Sequence, residues 1–288
     1  GYTPPKYVFL GKATEVGYEV GKKKYIPGKK NDLEEMAYSI REVFEGVKST
    51  SNGGECGWIL QSDITSNRID ANYLLNKIDR YELKQKFPTL VPLKDVCTIE
   101  NISISVRPDS QYYYLEVPDI SEATGAITNV RRLFGHQLHQ ISFHKFFPGD
   151  ILFTRINPRK SRIAIAPPIE DSGIMSKEIF RIVWKHNPYI TQENQYVLCA
   201  ILQSSHVHSQ IVRLSTGSSS SRARVQEQDL LNDVFIPIPQ KSLQKKISAS
   251  LIKSTSDIWN CSQQYLFSYA KNQSRLGTVL TKDELRSV

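Results

Sequence analysis

The sequence predicts an α+β protein, with a mixed, β-rich body, peripheral helices and one long helix at the C-terminal end. Three features point to this fold. Short runs rich in β-branched and aromatic residues, separated by turn-forming residues, recur between 93 and 185 and again at 234–239. Apolar residues fall at helical spacing over 33–44 and over 191–214. A partial heptad seam, with apolar residues four and seven apart, indicates a long helix at 243–276.

Composition divides the chain into four predicted segments. The first holds a short strand that begins at Tyr7 and a helix that follows Asn31 or Asp32, because a short side-chain oxygen there can accept hydrogen bonds from the first free amides. The second is the clearest linker, rich in Ser, Gly and Asn. The third is the β-rich body, and the fourth is the long helix with its tail. Their expected bounds are 1–47, 48–57, 58–240 and 241–288.

The β-rich body centres on residues 148–185. This stretch opens with a Pro-Gly-Asp turn, which leads into a short apolar strand, Ile151–Phe153. An alternating strand at Ile163–Ala166 and another at Glu178–Trp184 follow. The loop at 155–162 between the first two strands holds three arginines, one lysine and one asparagine. We expect the strands to provide rigidity and this loop to present hydrogen-bond donors to an anion.

The chain is basic, and the excess charge is concentrated in one region. It has 37 Lys and Arg against 29 Asp and Glu, which gives a net charge of +8. Residues 121–165 alone hold seven Lys or Arg and only two acids, Glu122 and Asp150. A concentrated basic patch favours a polyanionic partner more strongly than the total charge does.

Other features of the sequence favour the cytoplasm. No apolar run approaches the ~20 residues that span a bilayer, and no secretory signal segment opens the chain. The four cysteines, Cys56, Cys97, Cys199 and Cys261, are far apart and fit free thiols in a reducing compartment. Because the chain begins with Gly1 instead of Met, we also expect part of a longer parent protein to be missing from it.

Two loops, at 155–162 and 215–224, are the main candidates for a binding surface. An arginine fork matches the acceptor edge of guanine, and asparagine can pair with adenine in the same bidentate way. Serine hydroxyls and glycine amides suit phosphate oxygens. We expect these loops to contact DNA or RNA, with duplex reading favoured. The alternative is that they are two solvated loops that happen to be basic.

The candidate DNA-contacting residues fall into two groups. Base contacts are expected from some of the arginines and the asparagine of the two loops, namely Arg155, Asn157, Arg159, Arg162, Arg222 and Arg224. Phosphate contacts are expected from more distant cations and from the serines, namely Arg131, Arg132, Lys145, Ser218, Ser219 and Ser220. Lys160 lies in the first loop and is assigned to the same DNA-binding surface.

The sequence shows no catalytic motif. It contains no glycine-rich cofactor loop, no Walker sequence and no nuclease-type cluster of acids with a lysine. Residues 187–189, Asn-Pro-Tyr, lack the second proline of the Asn-Pro-Pro-aromatic motif of amino-methyltransferases. His136, His139 and His144 lack the cysteine or carboxylates that would complete a metal site, so packing or DNA-facing roles are favoured. We expect no metal, no cofactor and no catalysis in this chain alone.

Six segments of residues 63–251, taken in order, resemble the target-recognition domain of type I restriction–modification specificity subunits. The segment 148–155, PGDILFTR, is similar to the most constant segment of that family, and PIP at 237–239 resembles its exit into a spacer helix. The other four are RIDANY at 68–73, YLEVPDI with a Thr-Gly turn at 114–125, GIMS at 173–176 and Thr216-Gly217. The resemblance implies a DNA-recognition module that directs adenine-N6 methylation, with or without cleavage, to a target site.

Residues 1–47 resemble a different protein, the C-terminal tail of the N6-adenine methyltransferase that partners such subunits. The similarity lies in Phe9-Leu10, Val16-Gly17-Tyr18 and Asn31-Asp32-Leu33 before a short helix. It implies a fused methyltransferase–specificity polypeptide, in which a missing domain or a partner subunit binds S-adenosylmethionine. The implied partners are duplex DNA, a methyltransferase subunit or domain and, where cleavage occurs, a restriction subunit.

The chain departs from the family pattern in one respect. Specificity subunits usually carry two recognition domains and two spacer helices, whereas this chain has one of each. The resemblance therefore implies a half-subunit that pairs with a copy of itself through helix 243–276. The residues expected at that contact are Ile247, Leu251, Ile258 and Tyr265.

Two other functions stay open. The chain could be a catalytic fragment of a methyltransferase that uses S-adenosylmethionine, which direct binding of that molecule to this chain would reveal. It could instead be a basic scaffold whose loops bind protein or RNA. Affinities for duplex DNA, single-stranded DNA and RNA, measured over a series of salt concentrations, distinguish a duplex-binding module from such a scaffold. Plotted as log affinity against log salt, duplex binding falls with a slope of about −0.9 per phosphate contacted.

Overall fold

The computed structural model describes residues 6–13, 16–17, 26–44, 55–64, 70–71, 73–74, 83–122, 124–217 and 222–279. The chain divides into two compact units, residues 1–90 and residues 91–288. Helices and several sheets are mixed along the chain, and a long helix comes last, which confirms the predicted α+β class.

The described part of unit 1 contains a two-stranded antiparallel sheet and a 13-residue helix, with further helical residues at 83–86. Strand β1 (Tyr7–Lys12) pairs with β2 (Glu55–Leu60), and helix α1 spans Asp32–Phe44. The side chain of Asn31 accepts a hydrogen bond from the amide of Leu33 at 3.2 Å, so Asn31 caps α1 as its short acceptor predicts. The predicted first strand and first helix are both confirmed.

The division into units differs from the predicted domain bounds. Residues 55–57 of the predicted linker belong to β2, where they pair with β1, and residues 48–54 lie outside the described part of the chain. A stretch rich in Gly, Ser and Asn indicates a local preference for turns. Its composition carries no information about pairing with a strand near the start of the chain. The predicted bound at 240 also differs, because the last helix lies in the same unit as the β-rich body.

Within the described residues, eleven strands follow in chain order from the unit boundary. They are β3 (Leu90–Pro92), β4 (Cys97–Ile99), β5 (Ile102–Ser105), β6 (Gln111–Leu115), β7 (Arg131–Phe134), β8 (Ser142–Phe146), β9 (Ile151–Thr154), β10 (Ile163–Ile165), β11 (Gly173–Met175), β12 (Ile179–Trp184) and β13 (Phe235–Pro237). The predicted strands after the Pro-Gly-Asp turn are confirmed as β9, β10 and β12. The sequence did not predict β11.

Two sheets form the body of unit 2. The four-stranded sheet has the order β10-β9-β12-β4 with antiparallel neighbours throughout. The five-stranded sheet has the order β5-β8-β11-β6-β7, in which β11 and β6 are parallel and the other pairs are antiparallel. A further short pair joins β3 to β13.

Apolar side chains from both sheets pack into one core cluster. Leu115, Phe146 and Met175 come from the five-stranded sheet, and Leu152 and Ile179 come from the four-stranded sheet. Strand β9 is buried at all four positions, which explains why its first three residues are all apolar. The ends of β9 and β12 are therefore firmly placed, and the basic loop starts directly after β9.

Four helices complete the described part of unit 2: α2 (Val197–Gln203), α3 (Ser205–Leu214), α4 (Glu227–Asp233) and α5 (Lys241–Val279). The single helical stretch predicted at 191–214 is broken at Ser204, which has an extended backbone and donates its hydroxyl to the Ile201 carbonyl at 2.6 Å. Serine competes with the helix for backbone acceptors in this way. The predicted long helix is confirmed as α5.

Candidate nucleic-acid interface

The basic loop, residues 155–162, is closed and held by its backbone. The amide of Thr154 at the end of β9 donates to the carbonyl of Arg162 at 3.0 Å. Asn157 and Ser161 both adopt left-handed conformations, with φ of 48° and 35°, on either side of one 3-10 turn. Such conformations are costly for residues other than glycine and persist where the surroundings fix them.

Helix α3 supports the same loop. Pro158, within the 3-10 turn, is buried, and its carbonyl oxygen lies 2.8 Å from Nε2 of His208. Because a carbonyl can only accept, His208 carries its proton on that nitrogen when the bond forms. The loop backbone is thus fixed without any ligand.

The serine loop, residues 215–224, is closed at its base. Thr216 and Arg224 exchange backbone hydrogen bonds of 2.9 and 2.8 Å. Gly217 is required there, because a Cβ would lie 2.6 Å from backbone atoms on the other side of the loop. Residues 218–220, the serines predicted to bind phosphate, lie outside the described residues.

The two loops lie side by side, although they are far apart in the sequence. The amide of Asn157 donates to the carbonyl of Ala223 at 2.8 Å, and the amide of Val225 donates to the carbonyl of Arg155 at 3.0 Å. Ile156 and Arg224 form the bridge between them. Backbone pairing therefore joins the basic loop and the serine loop into one surface.

An acid that the sequence reasoning missed, Glu178, lies at the junction of these loops. It immediately precedes β12, and both of its carboxylate oxygens accept hydrogen bonds from Arg224, at 2.7 to 3.0 Å. This hydrogen bonding raises the pKa of the Arg224 guanidinium. Nε of Arg155 lies 3.8 Å from the same carboxylate, and the Arg155 guanidinium stacks 5.1 Å from the ring centre of Phe180. Two predicted base-reading arginines thus share one carboxylate.

A second acid, Glu122, holds the other end of the basic loop. One of its oxygens accepts from Lys160 and from Arg162, both at 2.5 Å. Arg162 also donates from Nε to the Ile120 carbonyl at 3.1 Å, and only 11% of its side chain is exposed. The hydrogen bond from Lys160 lowers the pKa of Glu122 below its ordinary value. Arg162 is therefore enclosed in the protein, which does not favour direct base contact.

Three exposed cations near these loops have no side-chain partner among the described residues. Arg159 and Arg222 are the predicted ones. Lys177, next to Glu178, was missed by the sequence reasoning. These three carry the unneutralised positive charge of the surface.

The predicted phosphate contacts on β7 do not share a face. Successive residues of a strand project to opposite sides, so Arg131 and Arg132 point away from each other. Arg131 pairs with Glu116 at 3.0 Å and Asp119 at 3.1 Å. Arg132 pairs with the exposed Glu170 at 3.0 Å. One flat surface cannot receive both guanidinium groups.

Lys145 lies on β8, opposite Ile174 of β11. Its ammonium lies 5.1 Å from the ring centre of Phe147, and it has no ion pair among the described residues. None of the described contacts of Lys145 joins it to either loop.

Two of the three histidines predicted to pack or to face DNA, His136 and His144, contact backbone carbonyls. Nδ1 of His136 lies 3.0 Å from the Pro108 carbonyl, and Nδ1 of His144 lies 3.3 Å from the Ile179 carbonyl. In the described part of the chain, His, Cys, Asp and Glu side chains do not gather in groups of three that could hold a metal ion. Nor does any described helix combine the length and apolar character needed to cross a membrane.

Cys97, Cys199 and Cys261 are free thiols. Burial raises the pKa of Cys97 and of Cys199 to about 12, which suppresses the reactive thiolate. Cys261 on α5 is exposed instead.

Helix α5 buries one side on its own unit and exposes another. Gln244 is buried and donates to two backbone carbonyls at 3.0 and 2.8 Å. The residues predicted for self-association differ in exposure: Ile247 and Leu251 are half-buried, whereas Ile258 and Tyr265 are exposed. Pairing through this helix stays a prediction.

The missed acids left a partial signal in the sequence. Glu122 and Asp150 are the two acids of the basic stretch 121–165, and both are paired: Glu122 as described, and Asp150 with Arg181 at 2.7 Å. A lone acid in a strongly basic region is a candidate ion-pair partner. For Glu178, which lies outside that stretch, no comparable signal exists.

No protein-family model matches this chain, and no curated protein matches it. Solved structures similar to it include one described as the structural basis of complex assembly and conformational transition of the type I R-M system. It is 20% identical, with a TM-score of 0.42, over 67% of this chain and 50% of that chain.

Two further solved structures are similar. The HsdS subunit from Thermoanaerobacter tengcongensis is 22% identical, with a TM-score of 0.42, over 65% of this chain and 46% of that chain. The type I restriction-modification S subunit from M. genitalium is 11% identical, with a TM-score of 0.36, over 56% of this chain and 37% of that chain. This chain thus spans half the length of these structures or less, and all three come from the type I systems that its sequence resembles.

Proposed function

We propose that this chain is a sequence-specific, double-stranded DNA-recognition module of a type I-like restriction–modification system. The observation that carries the proposal is the backbone pairing of the basic loop with the serine loop, which presents Arg159 and Arg222 on one surface with no side-chain partner among the residues that the structure describes. Free arginines supply affinity for phosphates, and arginines held in a fixed orientation supply base discrimination. The ordered series of sequence segments described above supports the same function.

The rest of the system follows from that resemblance. The module directs adenine-N6 methylation, with or without cleavage, to its site, and a methyltransferase domain or partner supplies catalysis and holds S-adenosylmethionine. A second copy pairs through α5. Methylation profiling of the host genome tests this part, because removal of the gene should abolish N6-methyladenine at one sequence motif. An unchanged methylation profile would contradict it.

DNA binding is tested directly by fluorescence anisotropy over a salt series, with random-sequence duplex, single strand and RNA as probes. The chain should bind the duplex most tightly and lose affinity steeply with salt. The Arg159→Ala/Arg222→Ala double variant should lower the magnitude of the log–log slope by about 2, roughly one for each lost phosphate contact.

The matched control is Lys94→Ala/Lys185→Ala, which also removes two exposed positive charges. Lys185 follows β12 at the end opposite Glu178, and Lys94 lies just before β4, which pairs with that same end. This control should leave the slope unchanged. Equal losses in both double variants, or tighter binding of RNA than of duplex, would contradict the proposed surface.

A further inference from the structure

We infer that Arg224 reads a base and that Glu178 is the positioning residue that aims it. This inference rests on the proposed function and goes beyond it, because it assigns the discriminating contact to a salt-bridged arginine rather than to the free ones. The geometry around Glu178 carries it.

Arg224 keeps two of its donors free for a ligand. A guanidinium has five N–H groups. Nε and Nη2 each donate to Glu178, and Nη1 donates to the carbonyl of Arg222 at 3.1 Å. One N–H on Nη1 and one on Nη2 therefore remain. Two donors on the terminal nitrogens form the fork that pairs with O6 and N7 of guanine.

The Arg224 side chain remains accessible to a ligand. The Arg224 side chain is 37% exposed, whereas Arg162, paired with Glu122, is 11% exposed. Arg224 is thus fixed by Glu178 and still accessible to solvent. It lies at the base of the serine loop, where that loop meets the basic loop. Its remaining fork thus belongs to the proposed surface.

The backbone of Glu178 is itself held by hydrogen bonds. The carbonyl of Glu178 accepts the Arg155 amide at 2.9 Å, and the amide of Glu178 donates to Oγ of Ser176 at 3.3 Å. The carboxylate therefore starts from a fixed backbone. Holding a guanidinium in its binding orientation reduces the ordering cost on association, which is how preorganised contacts gain specificity.

Arg159 and Arg222 lack this support. Their side chains have no partner among the described residues, so each must lose rotamer freedom when it binds. Mobile cations suit phosphates, which are present at every sequence. The surface thus combines free arginines for affinity with one held arginine for discrimination.

The test begins with selection from a pool of randomised DNA duplexes by the full 288-residue chain. Glu178→Gln and Arg224→Ala are then put through the same selection. Both variants should lose preference at the same base pair, because one residue acts through the other. Anisotropy with the selected duplex should show roughly 10- to 100-fold weaker binding for Arg224→Ala and on the order of 10-fold for Glu178→Gln.

Binding to a random-sequence duplex distinguishes a loss of Arg224 orientation from a general loss of folded structure. Glu178→Gln should bind it as tightly as the parent chain or a few-fold more tightly, because a negative charge has left a basic surface. The Glu178→Gln/Arg224→Ala double variant should bind the selected duplex no more weakly than Arg224→Ala alone. Glu178→Asp, which keeps the charge, should recover part of the discrimination. Glu170→Gln removes the carboxylate beside Arg132 and should change neither measurement.

Several results would overturn the inference. Preference lost at different base pairs in Glu178→Gln and Arg224→Ala would show that Glu178 contacts a base itself. Equal weakening on selected and random duplexes would show a purely structural role. Full discrimination in Glu178→Gln would show no role, and would leave the proposed function standing. If the parent chain selects no duplex at all, the proposed function fails and the inference fails with it.

Discussion

Glu122 and Glu178 each hold two cations that the sequence predicts for DNA binding, yet the two clusters are built differently. At Glu122, one oxygen receives both Lys160 and Arg162, and the arginine is further tied to a backbone carbonyl and enclosed. At Glu178, both oxygens receive one edge of Arg224, which leaves its outer fork open. The Glu122 cluster stabilises the basic loop, whereas the Glu178 cluster holds Arg224 in an orientation that is accessible to DNA.

The comparison shows that an ion pair does not by itself remove an arginine from recognition. What decides its role is which N–H donors remain and whether they can be reached. Surface ion pairs contribute ~0–1 kcal/mol to stability, so neither cluster owes its importance to the salt bridge alone. Variants of the two clusters distinguish an arginine that stabilises a loop from an arginine whose donors are accessible to DNA.

The largest expected effect comes from the turn that carries Glu122. Gly125 has φ of +67°, and a Cβ there would lie 1.9 Å from the carbonyl oxygen of Ile163 in β10. Gly125→Ala should therefore lower the free energy of unfolding by about 2–5 kcal/mol, from backbone strain and overlap together. Urea denaturation measures this. Gly149→Ala, also at positive φ but facing only the Tyr196 hydroxyl at 3.0 Å, should cost less. An equal cost at both sites would mean that the close approach to β10 is not what fixes the turn.

The second prediction compares the two arginines. Arg162→Ala should lower the free energy of unfolding by about 1–3 kcal/mol, because the Ile120 carbonyl and the loop lose a partly buried donor. Arg224→Ala should lower it by under ~1 kcal/mol, because its partner is partly open to water. For affinity to a selected duplex the order should reverse, with Arg224→Ala causing the larger loss and Arg162→Ala the smaller. Parallel urea and anisotropy measurements on both variants test this. Loss of discrimination in Arg162→Ala without loss of stability would make Arg162 a base-reading residue after all.

The local parts of this surface could be predicted from the sequence. Apolar runs bounded by turns located β9, β10 and β12, and the basic composition located both loops. The opposed directions of Arg131 and Arg132 were also within reach, because adjacent residues on any strand face opposite sides. Identifying residues 131–134 as a strand was the missing step.

The partners of the arginines could not be predicted. Glu178 and Arg224 are separated by 46 positions, and Glu122 and Arg162 by 40, so only the folded sheet brings each pair together. Spacing rules for charges apply within a helix or a hairpin and do not reach this far. The same limit explains the missed β11, a three-residue strand whose neighbours β6 and β8 are remote in sequence.

The smallest expected effect concerns pH and the Glu122 brace. The hydrogen bond from Lys160, with the nearby charge of Arg162, holds the pKa of Glu122 below its ordinary value of 4.5. A carboxylate with a lowered folded-state pKa contributes stability that is present above pH 4.5 and is lost as the pH falls through the lowered value. Lys160→Ala should move the pKa of Glu122 back towards 4.5, as followed by carbon NMR of the side-chain carboxyl. The control is Glu193, whose pKa is lowered by a hydrogen bond from its own backbone amide and should not move. If Lys160→Ala leaves the Glu122 titration unchanged, the enclosed Arg162 is the partner that matters, and the brace needs only one cation.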